Sequence, residues 1–245
     1  MIETIDPHRD KEISRSGQAV IILGHYYNSD HIKIPIIIKK FYSTSHFFDE
    51  LMIYAFMRKN PHISMINMIS FNQEKNEIYL EYIDGHNLGE YSFNNSNEKV
   101  NIIKQILNSF IFMHSLGLYH RDIKPENIIF SKTGVIKVID FATSCFNTRK
   151  PFCIQTVGTP GFIAPELLRE EKSDYLLSDV YSIGMTFYYI ITSEYPSEED
   201  IDYNLIKDDM LLKIILSMTD PDPRGRLTLV QVREIFDDIY FKDIK

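Results

Sequence analysis

The chain has 245 residues, with 34 acidic against 26 basic side chains and a formal charge of −8. That balance argues against nucleic acid as a main partner, because a phosphate backbone is bound through Lys and Arg. The length suits one modest domain, and a hydrophobic content of 44% is ample for its core.

In chain order, the first strong element is Ile34-Pro35-Ile36-Ile37-Ile38-Lys39-Lys40, an apolar strand. Strand residues alternate faces, so Ile37 should point the same way as Lys39. Residues 44–59 place Phe47, Phe48, Leu51, Ile53, Tyr54 and Met57 on one face of a helix, and Asn60-Pro61 stops it. Glu77-Ile78-Tyr79-Leu80-Glu81-Tyr82-Ile83 reads as a strand that ends in a turn at Asp84-Gly85. Asn94-Asn95-Ser96-Asn97 reads as a short polar loop, and residues 100–115 as a long apolar helix. Ile128-Ile129-Phe130 and Val135-Ile136-Lys137-Val138 are two short strands, joined as a hairpin by Ser131-Lys132-Thr133-Gly134. Residues 180–191 form the most apolar stretch. At roughly 12 residues it is shorter than the about 20 that a bilayer requires, so it reads as a buried helix. Little chain follows Ser193, so any later helices must be short or missing.

Between the long helix and the hairpin lies His120-Arg121-Asp122-Ile123-Lys124-Pro125-Glu126-Asn127. Eight residues hold an acid, two bases, an amide oxygen suited to a hard cation, and a rigid proline. Alone, the string could be a polar turn, since Asp, Pro and Asn all favour turns. Thirteen residues after Asn127 comes Asp140-Phe141-Ala142, at the end of the hairpin's second strand. The hairpin should bring Asp140 beside Asn127. Further on lie Gly158-Thr159-Pro160-Gly161-Phe162-Ile163-Ala164-Pro165-Glu166, Ser178-Asp179-Val180-Tyr181 and Asp222-Pro223-Arg224-Gly225-Arg226. Together these strings resemble the catalytic loop, metal-binding segment and activation segment of eukaryotic-type Ser/Thr protein kinases. The matches cover residues 120–226 and are independent of one another.

The resemblance implies an α+β, bilobal protein-kinase-like fold in a single domain, residues 1–245. Residues 1–83 would form an N-lobe of antiparallel sheet plus one helix, 84–88 a hinge, and 89–245 a mainly helical C-lobe. Asp122 would accept or orient the substrate hydroxyl, and Lys124 would reach the transferring phosphate. Asn127 and Asp140 would hold Mg²⁺, with Mn²⁺ as an alternative ion. Asp179 would open the central helix and hold the backbone of the catalytic loop, and Glu166 would be buried against Arg226. The phosphate lid is poor in glycine: Ser14, Ser16 and Ala19 stand where the family has three glycines, and Ile21 follows them. Lys39 would contact the α- and β-phosphates, with Lys40 as the fallback, and Glu50 would hold that lysine. Ile37 replaces a small residue above the adenine and should narrow its pocket. Leu80 would be the gatekeeper, the backbone of Glu81 and Ile83 would bond adenine, and Ile129 completes the nucleotide set. Ala142 replaces a glycine and should bias the motion of its segment.

The implied activity is transfer of the γ-phosphate of ATP to Ser or Thr hydroxyls of a protein substrate, a basic one suiting the acidic charge. A pseudokinase that scaffolds a partner is the alternative; the altered lid, Ile37 and Ala142 speak for it. Cys145 and Cys153 read as two reduced thiols, with a regulatory disulfide as the alternative. The polar amino terminus carries no secretory signal, which suggests a cytoplasmic protein. Thirty-seven isoleucines and no tryptophan suit an AT-rich genome, so a pathogen or viral protein in a host cytoplasm would fit. Arg121 could receive an activation-segment phosphate on Thr156, Thr148 or Ser144, or donate a hydrogen bond to Gln155 without modification.

Overall fold

Isoleucine and valine crowd residues 19–38, and β-branched side chains fit a pleated surface. They form a sheet. The computed structural model describes residues 5–147, 157–169, 174–197 and 201–241. The chain divides into two units, Met1–Asp84 and Gly85–Lys245.

The first unit contains strands β1 (His8–Arg15), β2 (Ala19–Tyr27) and β3 (Lys33–Phe41), helix α1 (Thr44–Lys59), and strands β4 (Met68–Asn72) and β5 (Glu77–Glu81). The sheet is antiparallel in the order β1-β2-β3-β5-β4. Pro35 lies in β3 before its pairing with β5 begins at Ile36. Proline lacks an N–H and is confined to such strand entries. One face of the sheet buries Ile36, Ile38 and Tyr79 completely, under Ile5, Ile22, Tyr26 and Ile69. The buried Glu77 carboxylate is satisfied by Arg9 Nη2 at 2.7 and 2.8 Å and by the Tyr79 hydroxyl at 3.0 Å. Every residue of β1 is exposed.

Helix α1 begins where Ser43 accepts from the Ser45 amide, and its last turn carries Arg58 and Lys59, which suit the helix dipole. Its buried face is Phe47, Glu50, Ile53, Tyr54 and Met57. Phe48 departs from the expected apolar face and is 44% exposed. The inward position is taken instead by Glu50, whose partner is described below.

The second unit opens with β6 (Gly85–Asn87), followed by α2 (Ser96–Ser115) and β7 (Leu118–Tyr119). Then come β8 (Ile128–Ser131), β9 (Ile136–Val138) and β10 (Cys145–Phe146). Strands β6, β8 and β9 make one small sheet, and β7 pairs with β10. The expected polar loop at 94–97 is corrected: Asn95 caps α2 by accepting from the Glu98 amide, so Ser96 and Asn97 are its first turn. The helix therefore starts four residues before the apolar periodicity does, as capped polar first turns allow.

Helices α3 (Pro165–Leu168), α4 (Tyr175–Thr192), α5 (Asp209–Met218) and α6 (Leu229–Tyr240) complete the unit. Helix α4 also begins earlier than expected. Asp174 caps it, so Asp179 is a buried residue of its second turn and does not open the helix. A Cβ on Gly184 would lie 2.7 Å from Thr219 Cγ2, which is why α4 and the end of α5 approach so closely there. Among the described residues, no helix is long and apolar enough to cross a membrane.

Candidate active site

Two sets of sequence-expected residues assemble, one in each unit. In the first unit, strand register places Ile21 opposite Lys39 and Lys39 opposite Ile78, and Leu23 opposite Ile37 and Ile37 opposite Leu80. Residues directly opposite in a ladder share a face. Ile21, Ile37, Lys39 and Leu80 therefore occupy one face of the sheet. Ile36 and Ile38 turn to the other.

Lys39 Nζ meets Glu50 Oε1 at 2.6 Å, and both side chains are buried. A buried ammonium must be paired, because its desolvation is unfavourable without a partner. Lys40 points elsewhere: its side chain is 51% exposed and only 3.9 Å from Glu77 Oε1. Leu80 is buried, and Ile37 and Ile83 are half-buried. The Glu81 amide bonds Asn67 O at 3.0 Å, which fixes the end of β5.

The lid residues form the β1–β2 hairpin. Ser14 and Ile21 pair across it, Ala19 is buried, and Ser16 sits in the turn. Ser16 Oγ accepts from the amides of Gln18 at 3.2 Å and Ala19 at 3.1 Å.

In the second unit the catalytic loop lies between β7 and β8, with Pro125–Asn127 wound into a single 3₁₀ turn. Asp179 holds its backbone: the His120 and Arg121 amides each reach that carboxylate at 2.9 Å. His114 Nε2 lies 3.0 Å from the same group. Ile139 O can only accept, so His120 Nε2, 3.1 Å away, carries the ring hydrogen. That leaves Nδ1 to accept from the Asp122 amide at 3.3 Å. One tautomer satisfies both contacts.

Asp122 is the hub. Its Oδ1 accepts from the Thr159 hydroxyl at 2.6 Å. Its Oδ2 accepts from Asn127 Nδ2 at 3.1 Å and faces Lys124 Nζ at 3.1 Å. Lys124 Nζ also donates to Thr159 Oγ1 at 2.6 Å. Sequence reasoning gave Thr159 only as part of the Gly158–Glu166 string, and its place between Asp122 and Lys124 was not found. The signal available was its fixed position behind Gly158. Thr159 is itself anchored, its carbonyl accepting from the Phe162 and Ile163 amides. Gly161, in this turn, has φ +80, and a Cβ there would lie 2.4 Å from Pro196 O. Only glycine fits.

The Ile139 amide donates to Asn127 O at 2.9 Å, so the two strand ends meet and Asn127 and Asp140 are neighbours across them. The Asn127 amide nitrogen is spent on Asp122, at 2.8 Å to its carbonyl as well. Its amide oxygen and the Asp140 carboxylate are the oxygen donors a hard cation prefers. Among the described residues, no group of three His, Cys, Asp or Glu could hold a metal unaided. The donor set fits Mg²⁺, which takes one or two protein oxygens and completes its shell from substrate phosphates.

Arg121 and Asp140 both adopt left-handed backbone, φ +70 and +62. Such strain collects at functional sites. Ala142 does not share that conformation, so alanine fits here without steric conflict. Its amide reaches Asp140 Oδ1 at 3.4 Å. Ile129 is half-buried in β8, opposite Asn87. The Arg121 guanidinium stacks 4.6 Å over Tyr175 and donates to Thr143 O at 3.3 Å. Burial lowers its pKa.

Glu166 is clamped by Arg226, with both contacts at 2.7 Å, and Ser178 Oγ adds a third at 2.9 Å. Burial alone would raise this carboxyl's pKa, but the Arg226 hydrogen bonds bring it below its ordinary value. Cys145 is disulfide-bonded, which corrects the expectation of reduced thiols there. The chain's other cysteine, Cys153, lies outside the described residues, as do Thr148, Gln155 and Thr156.

Residues 31–239 match the family model described as "Protein kinase domain". The chain is 30% identical over 207 residues to CBL-interacting protein kinase 9 of Oryza sativa subsp. japonica, covering 76% of this chain and 45% of that protein. It is 31% identical over 203 residues to CBL-interacting protein kinase 24 of the same plant, covering 75% and 44%. It is 28% identical over 204 residues to CBL-interacting serine/threonine-protein kinase 3 of Arabidopsis thaliana, covering 75% and 46%. The chain thus spans less than half the length of these relatives.

Proposed function

The chain belongs to the protein kinase family, and from that premise we propose that it transfers the γ-phosphate of ATP to Ser or Thr hydroxyls of protein substrates. The observation that carries the reading is the Asp122–Lys124–Thr159–Asn127 cluster. Asp122 already accepts a hydroxyl hydrogen bond at 2.6 Å. A substrate hydroxyl bound in the same way is oriented, and its proton has an acceptor as the phosphate bond forms. Lys124 places positive charge beside that carboxylate, where the transferring phosphoryl group needs it. Mg²⁺, when bound with the nucleotide, neutralises phosphate charge. Asn127 and Asp140 are the residues that would hold it, and Lys39, fixed by Glu50, would hold the triphosphate. The adenine would rest against Ile37 and Leu80 of the first unit, with hydrogen bonds to the backbone of Glu81 and Ile83. A scaffolding pseudokinase is not supported: the similar proteins are named as kinases, and Asp122, Lys39 with Glu50, Asn127 and Asp140 are all present in the chain.

A basic peptide suits the second unit. Glu126, beside this cluster in sequence, takes the Tyr195 hydroxyl on Oε1 at 2.6 Å. Its Oε2 is buried without a hydrogen-bond partner among the described residues. A Lys or Arg of the substrate would meet a carboxylate beside the cluster. A cytoplasmic setting, where ATP and such substrates meet, belongs to the same proposal. Transfer of labelled phosphate from ATP·Mg²⁺ to a generic basic protein is the test, run beside Asp122→Asn. Incorporation in the wild type that the variant loses supports the assignment. Equal incorporation in both, or none in either, overturns it.

A further inference from the structure

The lid turn holds an arrangement that the kinase reading does not account for. Ser16 Oγ receives two successive backbone amides, Gln18 at 3.2 Å and Ala19 at 3.1 Å, and the hydroxyl itself lies 3.2 Å from Ala19 O. The Ser16 amide closes the same turn on Ala19 O at 2.9 Å. Successive amides that converge on one oxygen make an anion-binding concavity. Here the oxygen at the focus is the protein's own. Gly17, the only glycine in the lid, has no positive φ, and a Cβ there would meet nothing within 4 Å. The turn therefore makes no use of glycine's freedom and is closed by the serine.

We infer that Ser16 sets the triphosphate affinity of this chain: its hydroxyl occupies the two lid amides that a phosphate oxygen would otherwise take. This rests on the reading of the first unit as nucleotide-binding. In that unit Lys39, buried and held at 2.6 Å by Glu50, is then the main phosphate contact. Binding a phosphate at the lid would first require breaking the Ser16 contacts. A neutral hydroxyl exchanged for a charged oxygen is favourable only after that break, because hydrogen bonds to charged groups are the stronger ones. Ser16 acts through the amides and touches no reacting atom, so it is a positioning residue. Its effect falls on ligands that carry phosphate and spares those that do not.

The test is the affinity of the full chain for ATP·Mg²⁺ and for adenosine, by calorimetry, in the wild type, Ser16→Ala, Ser16→Gly and Ser16→Thr. Thermal melts without ligand confirm that each variant folds. Ser16→Ala and Ser16→Gly free both amides. Each should bind ATP about tenfold more tightly, as one added charge-assisted hydrogen bond allows, and adenosine unchanged. Ser16→Thr keeps the hydroxyl and should match the wild type on both ligands. If Ser16→Ala and Ser16→Gly bind ATP no better than the wild type while adenosine is unchanged, the lid amides are not held back by Ser16 and the inference is wrong. If the folded wild type binds neither ligand, the nucleotide reading fails and the inference falls with it.

Discussion

Thr159 donates to Asp122 Oδ1 at 2.6 Å and accepts from Lys124 Nζ at the same distance, so one hydroxyl ties the acid to the base. Without it, the carboxylate is held through Oδ2 alone, by Lys124 Nζ and Asn127 Nδ2, each at 3.1 Å. The hydroxyl therefore sets where the acid points.

Asp122→Ala should lower the phosphotransfer rate by about 10²–10⁴ and leave nucleotide affinity unchanged, as expected for a group that receives a proton. Thr159→Val keeps the shape and removes the bridge. Its rate should fall less, by roughly tenfold, with KM for ATP unaltered, because the acid remains but is aimed less well. Steady-state kinetics on both variants check this. Wild-type rates in Asp122→Ala would refute the assignment.

The Lys39–Glu50 pair makes a prediction about stability as well as binding. Glu50→Ala removes the carboxylate that meets the buried Lys39 ammonium at 2.6 Å, and breaking such a buried pair costs on the order of 3–5 kcal/mol. The double variant Lys39→Met, Glu50→Leu replaces both charges by apolar volume and should recover most of that loss. Neither variant should bind ATP as the wild type does. Chemical denaturation and calorimetry separate the two effects. A double variant as unstable as the single one would show that burial of the Lys39 charge without its carboxylate is not the cause.

Ile37 stands directly opposite Leu80 on the face that carries Lys39. Ile37→Ala removes a branched side chain from that face. It should admit bulkier adenine-site inhibitors and tighten ATP. The folded protein should lose only a little stability, since Ile37 is half-buried. A panel of inhibitors ranked on both proteins is sufficient. An identical ranking would place Ile37 away from the adenine.

The Glu166 carboxyl is held below its ordinary value of 4.5 by Arg226, against the opposing effect of burial. A carboxyl with a depressed folded pKa contributes stability that is present in full above its unfolded value. The contribution disappears as pH falls through the folded value. The wild type should therefore lose stability on acidification below about 4.5, with Glu166 supplying part of the slope. In Glu166→Met, Arg226→Met that part is gone and the acid limb should be flatter. Urea midpoints measured between about pH 6 and about pH 3 give the comparison. Identical limbs would mean that the pair is not protonated in this range.

Much of the second unit was legible because its chemistry is written locally. The catalytic loop and the Asp140 segment are short strings joined by a hairpin whose turn and strands announce themselves, so Asn127 and Asp140 could be placed as neighbours. Helix starts were less legible. Ser96 and Asn97 are polar and look like loop, and only the Asn95 cap makes them helix. In the first unit, periodicity favoured Phe48 over Glu50 as the inward residue of α1. An apolar count cannot register that a buried lysine on a distant strand requires a carboxylate there. The same limit hid Thr159 and Ser16. Their roles arise from single hydroxyls meeting groups brought close by folding, and a small polar residue in a turn has many bland explanations. For Cys145 the alternative holds: two cysteines without a motif favoured reduced thiols over a disulfide, and Cys145 is disulfide-bonded.

Strand β1 stands at the margin of its sheet, with all eight residues exposed. A bare strand edge invites another chain to extend the sheet. This edge carries Arg9, Asp10, Lys11, Glu12 and Arg15, so a second copy arriving there would have to strip water from a row of charges. Those charges should oppose edge-to-edge pairing of two copies at high concentration. Lys11→Val with Glu12→Thr would erase that safeguard, and light scattering should then reveal association that the parent chain does not show.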